Sequence, residues 1–372
     1  MMNPFSYGQI VRGEDFCRRP QLVKQLADHI KSSQNVYIQG ERRTGKTSLI
    51  FETLHTLKKF RAIYIDLMEV KSSDDFLKRI LMAVMSMEKS KGFLDKVFRK
   101  LAHIRPVASI DPVTGLPTLS IDAAVELKPD SIPGVLDLIA SYHSKTKPIA
   151  VVFDEFQDLL NLKDSRQALA LLRSKVQFQS DIAYIFAGSI RNKMDGIFND
   201  PDSAFFKSAV PIHVGPLNPK NFRSFISRKF KIGDRHIDAE AMDAIFDICF
   251  DIPGDIQQLC SALWDTTTRG DLITGAHIPA ALQQIFSHEL KGYETTLKII
   301  APQQLKLLTA LARLGGKAPT SSAFLKKSGI HQASSVQKAL GRLIDLHIIF
   351  HTETAYRFVN PFFRAWLLHK NF

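Results

Sequence analysis

Short apolar runs alternate with amphipathic helical patterns between residues 35 and 214, and this alternation restricts the fold more than any other feature of the chain. Residues 35–39, 61–66, 148–153, 182–187 and 210–214 read as strands, and helical periodicity falls at 46–59, 74–87, 93–103, 133–143 and 165–178. The run Ile149-Ala150-Val151-Val152-Phe153 has no polar alternation, the pattern of a strand covered on both faces. Strands separated by helices return to a common sheet in parallel, so the expected class is α/β, a parallel sheet with helices on both sides. An irregular lead-in at 1–20 precedes a first helix opened by Pro20. Five prolines fall between residues 105 and 134, and that stretch reads as a loop or small hairpin inserted in the domain.

Beyond Leu217 the strand patterns stop. Helical patterns at 220–231, 239–250, 255–267 and 278–290 predict an all-helical lid. The remaining segment orders helices at 302–313, 322–327 and 333–346, a two-stranded wing at 347–351 and 355–359, and a closing helix at 362–369. That order is a winged helix-turn-helix. The expected domains are 1–217, 218–291 and 292–372.

The chain has 372 residues, 45% hydrophobic and 23% charged, enough apolar content for a large core and too much for a disordered chain. No apolar run approaches the roughly 18 residues of a membrane span. Met1-Met2-Asn3-Pro4-Phe5 lacks the basic and apolar stretches of a secretory signal. Cys17, Cys249 and Cys260 lie far apart without metal-ligand spacing, which points to a reducing, cytoplasmic setting rather than a disulfide or zinc scaffold.

Gly40-Glu41-Arg42-Arg43-Thr44-Gly45-Lys46-Thr47 matches G-x-x-x-x-G-K-[ST] between a predicted strand and a predicted helix. Glycines let such a backbone curl so that its N–H groups point at phosphate oxygens, and the helix N-terminus adds partial positive charge. The stretch Gly40, Glu41, Arg42, Arg43, Thr44, Gly45, Lys46, Thr47 and Ser48 is therefore the candidate nucleotide cradle of a P-loop NTPase sheet. Lys46 is expected to reach the β- and γ-phosphates and Thr47 to ligate Mg²⁺. Asp154 and Glu155 end the strand at 148–153, and ligands of doubly wound sheets bind at strand carboxyl ends. Asp154 is the second candidate Mg²⁺ ligand, through water, and Glu155 the group that orients or deprotonates an attacking water. The competing reading is a pair capping the next helix. Ser189, after the strand at 182–187, either touches the γ-phosphate or attacking water, or caps the helix that follows. The cation that offsets transition-state charge stays open among Arg42, Arg43, Arg173 and Arg191. No Asn/Thr-Lys-x-Asp guanine-reading segment follows the Asp154 strand, which favours ATP.

GERRTGKTSL, VVFDEFQDLL, FAGSIRNKM and DIPGDIQQL, followed by the terminal winged-helix pattern, resemble AAA+-type and STAND-type ATPases. The nearest likeness is to the prokaryotic archaeal-ATPase, or "ATP-binding protein", family. Phe205-Phe206-Lys207-Ser208-Ala209 is similar to that family's segment after the sensor strand, and Asn360-Pro361-Phe362-Phe363 to its C-terminal unit. The resemblance implies a nucleotide-dependent switch with slow ATP turnover. Gly45, Lys46 and Thr47 then take the Walker A role, Asp154 and Glu155 Walker B, and Ser189 sensor 1, with Lys46, Glu155 and Ser189 as the catalytic set. Ile252-Pro253-Gly254-Asp255 departs from the Gly-x-Pro lid element of STAND-type relatives. Phe206-Lys207-Ser208 lacks the arginine that some archaeal relatives carry there. P-loop hydrolysis often draws an arginine from a neighbouring subunit, so nucleotide-dependent self-association is expected.

The net charge of +12 is uneven. Residues 292–372 hold 11 basic and 3 acidic residues, whereas the other 291 positions hold 38 and 34. A basic winged helix suggests duplex DNA, read by Gln337, Lys338 and Arg342 on the second helix of the motif and supported by Lys326, Lys327 and wing residues Tyr356 and Arg357. The alternatives are a solvated basic face, and a STAND-type signalling switch whose winged helix binds a protein partner or neighbouring subunit. Phe358, Phe362, Phe363 and Trp366 are expected in the core around the last helix.

Overall fold

The computed structural model describes residues 2–87, 106–110, 117–121, 127–189, 191–352 and 354–370. The chain divides into two compact units, Ile10–Gly215, and Pro216–Phe372 with Met1–Gln9. The first unit contains β1 (Val36–Gln39), β2 (Arg61–Asp66), a hairpin of β3 (Pro106–Ile110) and β4 (Pro117–Ile121), then β5 (Ile149–Asp154), β6 (Ala183–Gly188) and β7 (Val210–His213). Five of these form a wholly parallel sheet in the order β2-β5-β6-β1-β7. The fold is α/β, as the alternation requires.

Register fixes where function can sit. Asp66 pairs with Asp154, and Gln39 pairs with both Gly188 and His213. Because β6 lies between β1 and β5, the segments leaving these three strands emerge side by side at the carboxyl edge. Every residue of β5 and β6 is buried. Tyr184 and Phe186 point into a layer with Phe153, Phe156, Phe198 and Phe205. Ala183, Ile185 and Ala187 point into the opposite layer with Leu26, Ile30, Leu49 and Ile50. Covering both faces removes water from strands whose side chains, Asp154 and the Tyr184 hydroxyl apart, are apolar. Pro106 and Pro117 each open a hairpin strand, a position where a missing N–H is tolerated. The proline-rich insertion thus contains a small hairpin, while Pro112, Gly115 and the predicted helix at 93–103 lie outside the described residues.

The second unit is mainly helical: Pro219–Ile232, Ala239–Cys249, Pro253–Thr266 and Ile278–Ile299, then Pro302–Leu314, Ser322–Ser328, Ala333–Asp345 and Pro361–His369, with a wing of β10 (Ile349–His351) and β11 (Tyr356–Phe358). Two differences from the sequence reading stand out. A two-residue parallel pair, β8 (His236–Ile237) with β9 (Leu272–Ile273), follows Leu217, too short for alternation to reveal. The helix expected to stop at 290 continues to Ile299, across the expected boundary between lid and winged helix. The lead-in is also anchored: Phe5 is buried with its ring 4.6 Å from Phe230 and 6.4 Å from Trp264.

Glu289 ties this unit together. Its carboxylate accepts hydrogen bonds from Gln258 Nε2 at 2.9 Å, Tyr293 OH at 2.8 Å and Asn360 Nδ2 at 2.7 Å. Asn360 in turn caps the last helix, accepting from the N–H groups of Phe362 and Phe363. Glu289→Ala removes the acceptor that these three donors share, so a loss of about 1–3 kcal/mol of stability is expected in urea unfolding. An unchanged midpoint would show the carboxylate to be dispensable.

Candidate functional site

The loop after β1 turns sharply into the helix Lys46–Thr56. Gly45 takes φ 88°, left-handed, and a Cβ on Gly40 would lie 2.3 Å from the Val214 carbonyl oxygen. Both positions need glycine, one for its backbone angles and one for close approach. Thr44 Oγ1 donates to the Glu41 carbonyl at 2.8 Å, closing the loop on itself. Arg19, absent from the sequence reading, braces it from outside, donating to the Thr44 carbonyl at 2.8 Å and the Gly215 carbonyl at 2.6 Å. Burial pulls the Arg19 guanidinium pKa down from its ordinary value.

Lys46 is buried, and its ammonium donates to the Gly40 and Glu41 carbonyls, each at 3.0 Å. Desolvation lowers its pKa, opposed by the negative charges of Glu155 and Asp154. Arg42 and Arg43 are exposed. The Ser48 hydroxyl accepts the Val11 N–H at 3.2 Å, so that side chain holds the lead-in segment.

Asp154 receives three donors. Thr47 Oγ1 at 2.7 Å and Tyr64 OH at 2.8 Å share its Oδ2, and the Glu155 N–H reaches Oδ1 at 3.0 Å. Burial, then the Asp154 charge, pushes the Tyr64 phenol far up, so it remains a donor. Tyr64 sits two residues before the end of β2; a hydroxyl within the apolar middle of that strand was the only available signal for it.

Glu155 leaves β5 with φ 51° and ψ 42°, left-handed for a side-chain-bearing residue, at a cost of about 1–2 kcal/mol. It makes no side-chain cap to the following 3₁₀ turn, Phe156–Asn161. Its Oε2 accepts instead from Ser189 Oγ at 2.7 Å and Gln157 Nε2 at 2.6 Å. Thus Lys46, Thr47, Asp154, Glu155 and Ser189, scattered over 144 positions of sequence, share one edge of the sheet. Arg173 lies half-buried on the helix Ser165–Val176; the Arg191 side chain lies outside the described residues. Among the described residues no cluster of three His, Cys, Asp or Glu side chains could hold a metal ion. A divalent ion here would draw on Thr47, Asp154 and a ligand's own oxygens.

In the second unit, Ser334, Gln337, Lys338 and Arg342 are exposed on the helix Ala333–Asp345, while Val336, Ala339, Leu340 and Leu343 are buried. Lys326 and Lys327 are exposed, and Phe358, Phe362, Phe363 and Trp366 are buried. Half-buried Arg357 on the wing has its guanidinium 5.6 Å from the Phe250 ring centre, with Arg364 at 5.4 Å from the same ring. The aromatic face draws the charge inward.

Residues 29–192 match the family model described as AAA domain, and residues 291–369 the one described as Probable winged helix domain. No curated protein matches the chain. Among solved structures, the Walker-type ATPase PABY2304 of Pyrococcus abyssi is similar at 16% identity and a TM-score of 0.67, over 98% of this chain and 99% of that one. The ADP form of the Aeropyrum pernix ORC2 protein is similar at 13% identity and 0.52, over 98% of each chain. The Aeropyrum pernix ORC1 protein in complex with DNA is similar at 12% identity and 0.51, over 96% of this chain and 94% of that one. At these identities the likeness is one of fold.

Proposed function

We propose that this chain, an AAA domain followed by a winged helix domain, binds ATP with Mg²⁺ at Gly40–Ser48, hydrolyses it slowly, and couples nucleotide state to DNA binding. The observation that carries the reading is the convergence of Thr47 on Asp154 and of Ser189 on Glu155 beside a glycine-shaped loop. The cradle fits a polyphosphate: Gly45 turns the loop into a helix N-terminus, and its lysine is held by carbonyls that a phosphate oxygen can replace. Thr47 and Asp154 would hold Mg²⁺, which when bound neutralises phosphate charge. Lys46 orients the β- and γ-phosphates. Glu155 takes or orients the proton of the attacking water, and Ser189 holds that carboxylate in place. The negative charge that develops in the transition state still requires a cation, and exposed Arg42 or Arg43, or an arginine from a second copy, would supply it. Three cysteines without metal spacing, and described helices none of which is long and apolar enough to cross a membrane, support a cytoplasmic setting.

DNA binding rests on the basic excess and on the exposed face of Ala333–Asp345. Phosphate contacts set affinity and salt dependence, so Lys338→Ala with Arg342→Ala should weaken duplex binding at least tenfold at low salt. It should also reduce the slope of log K against log salt by about 2. Fluorescence anisotropy with a labelled duplex measures both. A folded double variant with unchanged affinity and slope contradicts the assignment.

A further inference from the structure

We propose that Gln157 is a positioning residue for Glu155, acting with Ser189 to aim one carboxylate oxygen at the attacking water. The inference rests on the reading of Glu155 as the group that handles that water. Gln157 is 1% exposed, and no contact to a ligand is needed to explain its burial. Its Nε2 donates to Glu155 Oε2 at 2.6 Å, and more weakly to Asp158 Oδ1 at 3.3 Å. Ser189 Oγ reaches the same Glu155 oxygen at 2.7 Å. Two donors on Oε2 leave Oε1 without a donor among the described residues, free to accept from water.

The geometry that allows this is local and specific. The left-handed turn at Glu155 and the 3₁₀ turn after it bring the side chains of 155 and 157 into contact, which a regular helix would not do. The amide must present its nitrogen, because the reversed orientation would set a carbonyl against a carboxylate. Its Oε1 consequently faces inward, buried and without a hydrogen-bond partner among the described residues. A Cβ on Gly188 would lie 2.4 Å from that oxygen, so the last residue of β6 makes the space the amide occupies. Buried polar atoms normally find partners. Here one half of an amide forgoes its partner so that the other half can hold Glu155. A carboxylate on three rotatable bonds gains its effective concentration at the reacting water from such fixing.

The test is single-turnover ATP hydrolysis with Mg²⁺ by the full chain. Gln157→Met keeps the volume and removes the donor; Gln157→Asn keeps the amide but shortens its reach. Each is expected to lower the hydrolysis rate about tenfold while ATP affinity, read by titration with a non-hydrolysed analogue, stays as in the wild type. In a Glu155→Gln background neither change should lower the rate further, because the two residues act as one unit. Full wild-type rate in either folded single variant overturns the proposal, as does an undiminished tenfold loss in the Glu155→Gln background. Wild-type turnover that depends on Glu155 but not on Gln157 removes this inference alone. A wild-type chain that hydrolyses no ATP removes the functional reading with it.

Discussion

Lys46→Ala is expected to lower ATP affinity about a hundredfold or more, with the protein still folded. A charge-assisted hydrogen bond contributes about 1.5–3 kcal/mol, one to two decades in affinity, and this ammonium is placed to meet more than one phosphate oxygen. Burial amplifies the effect. Lys46 is withdrawn from water and solvated by two loop carbonyls. Its pKa is lowered by that burial while the neighbouring carboxylates oppose the shift, so its charge is poorly screened toward a phosphate. The same change takes the ammonium from the Gly40 carbonyl and leaves the Glu41 carbonyl with Thr44 Oγ1 alone, so the loop loses internal support as well. Isothermal titration with ATP and Mg²⁺, beside a thermal melt to establish folding, measures the outcome. Wild-type affinity in a folded Lys46→Ala chain would remove the phosphate-loop account.

Glu155→Gln is expected to lower turnover about a hundredfold to ten-thousandfold, the usual contribution of a positioned general base, while ATP remains bound. The isosteric amide preserves the contact with Ser189 but cannot accept a proton. The carboxylate is held on one oxygen by two donors and sits on a strained left-handed backbone. Strain kept beside a loop of this kind is more readily explained by function than by stability. Multiple-turnover phosphate release, compared with ATP affinity, separates the effect on chemistry from any effect on binding. Equal turnover in the variant would assign the base elsewhere.

Much of the architecture was legible because apolar strands and helical spacing each leave a strong periodic mark. The all-buried β5 and β6, the loop from Gly40 to Thr47, and the acidic pair after β5 all stand where periodicity and spacing place them. The winged-helix order was readable from alternating helix and turn signals, and the buried and exposed sides of Ala333–Asp345 follow its amphipathic pattern. What stayed hidden depends on the third dimension. Tyr64 meets Asp154 across neighbouring strands, 90 positions apart. Arg19 braces a loop 25 positions away. The role of Gln157 depends on a left-handed turn at a glutamate, which sequence preferences disfavour. Arg357 reads as a wing residue, and its neighbour Phe250, 107 positions earlier, has no sequence mark. The helix expected to end at 290 runs on to Ile299, past Gly292, where a glycine reads as a stop but the helix continues.

The coupling of nucleotide to nucleic acid is the central claim, and ATP hydrolysis by the purified chain tests it most directly. Turnover with Mg²⁺ is measured with and without duplex DNA at two salt concentrations, beside Glu155→Gln. The account predicts slow turnover that requires Glu155, rises when DNA is added, and loses that stimulation at the higher salt. Turnover equal in Glu155→Gln, or indifferent to DNA at both salt concentrations, contradicts it.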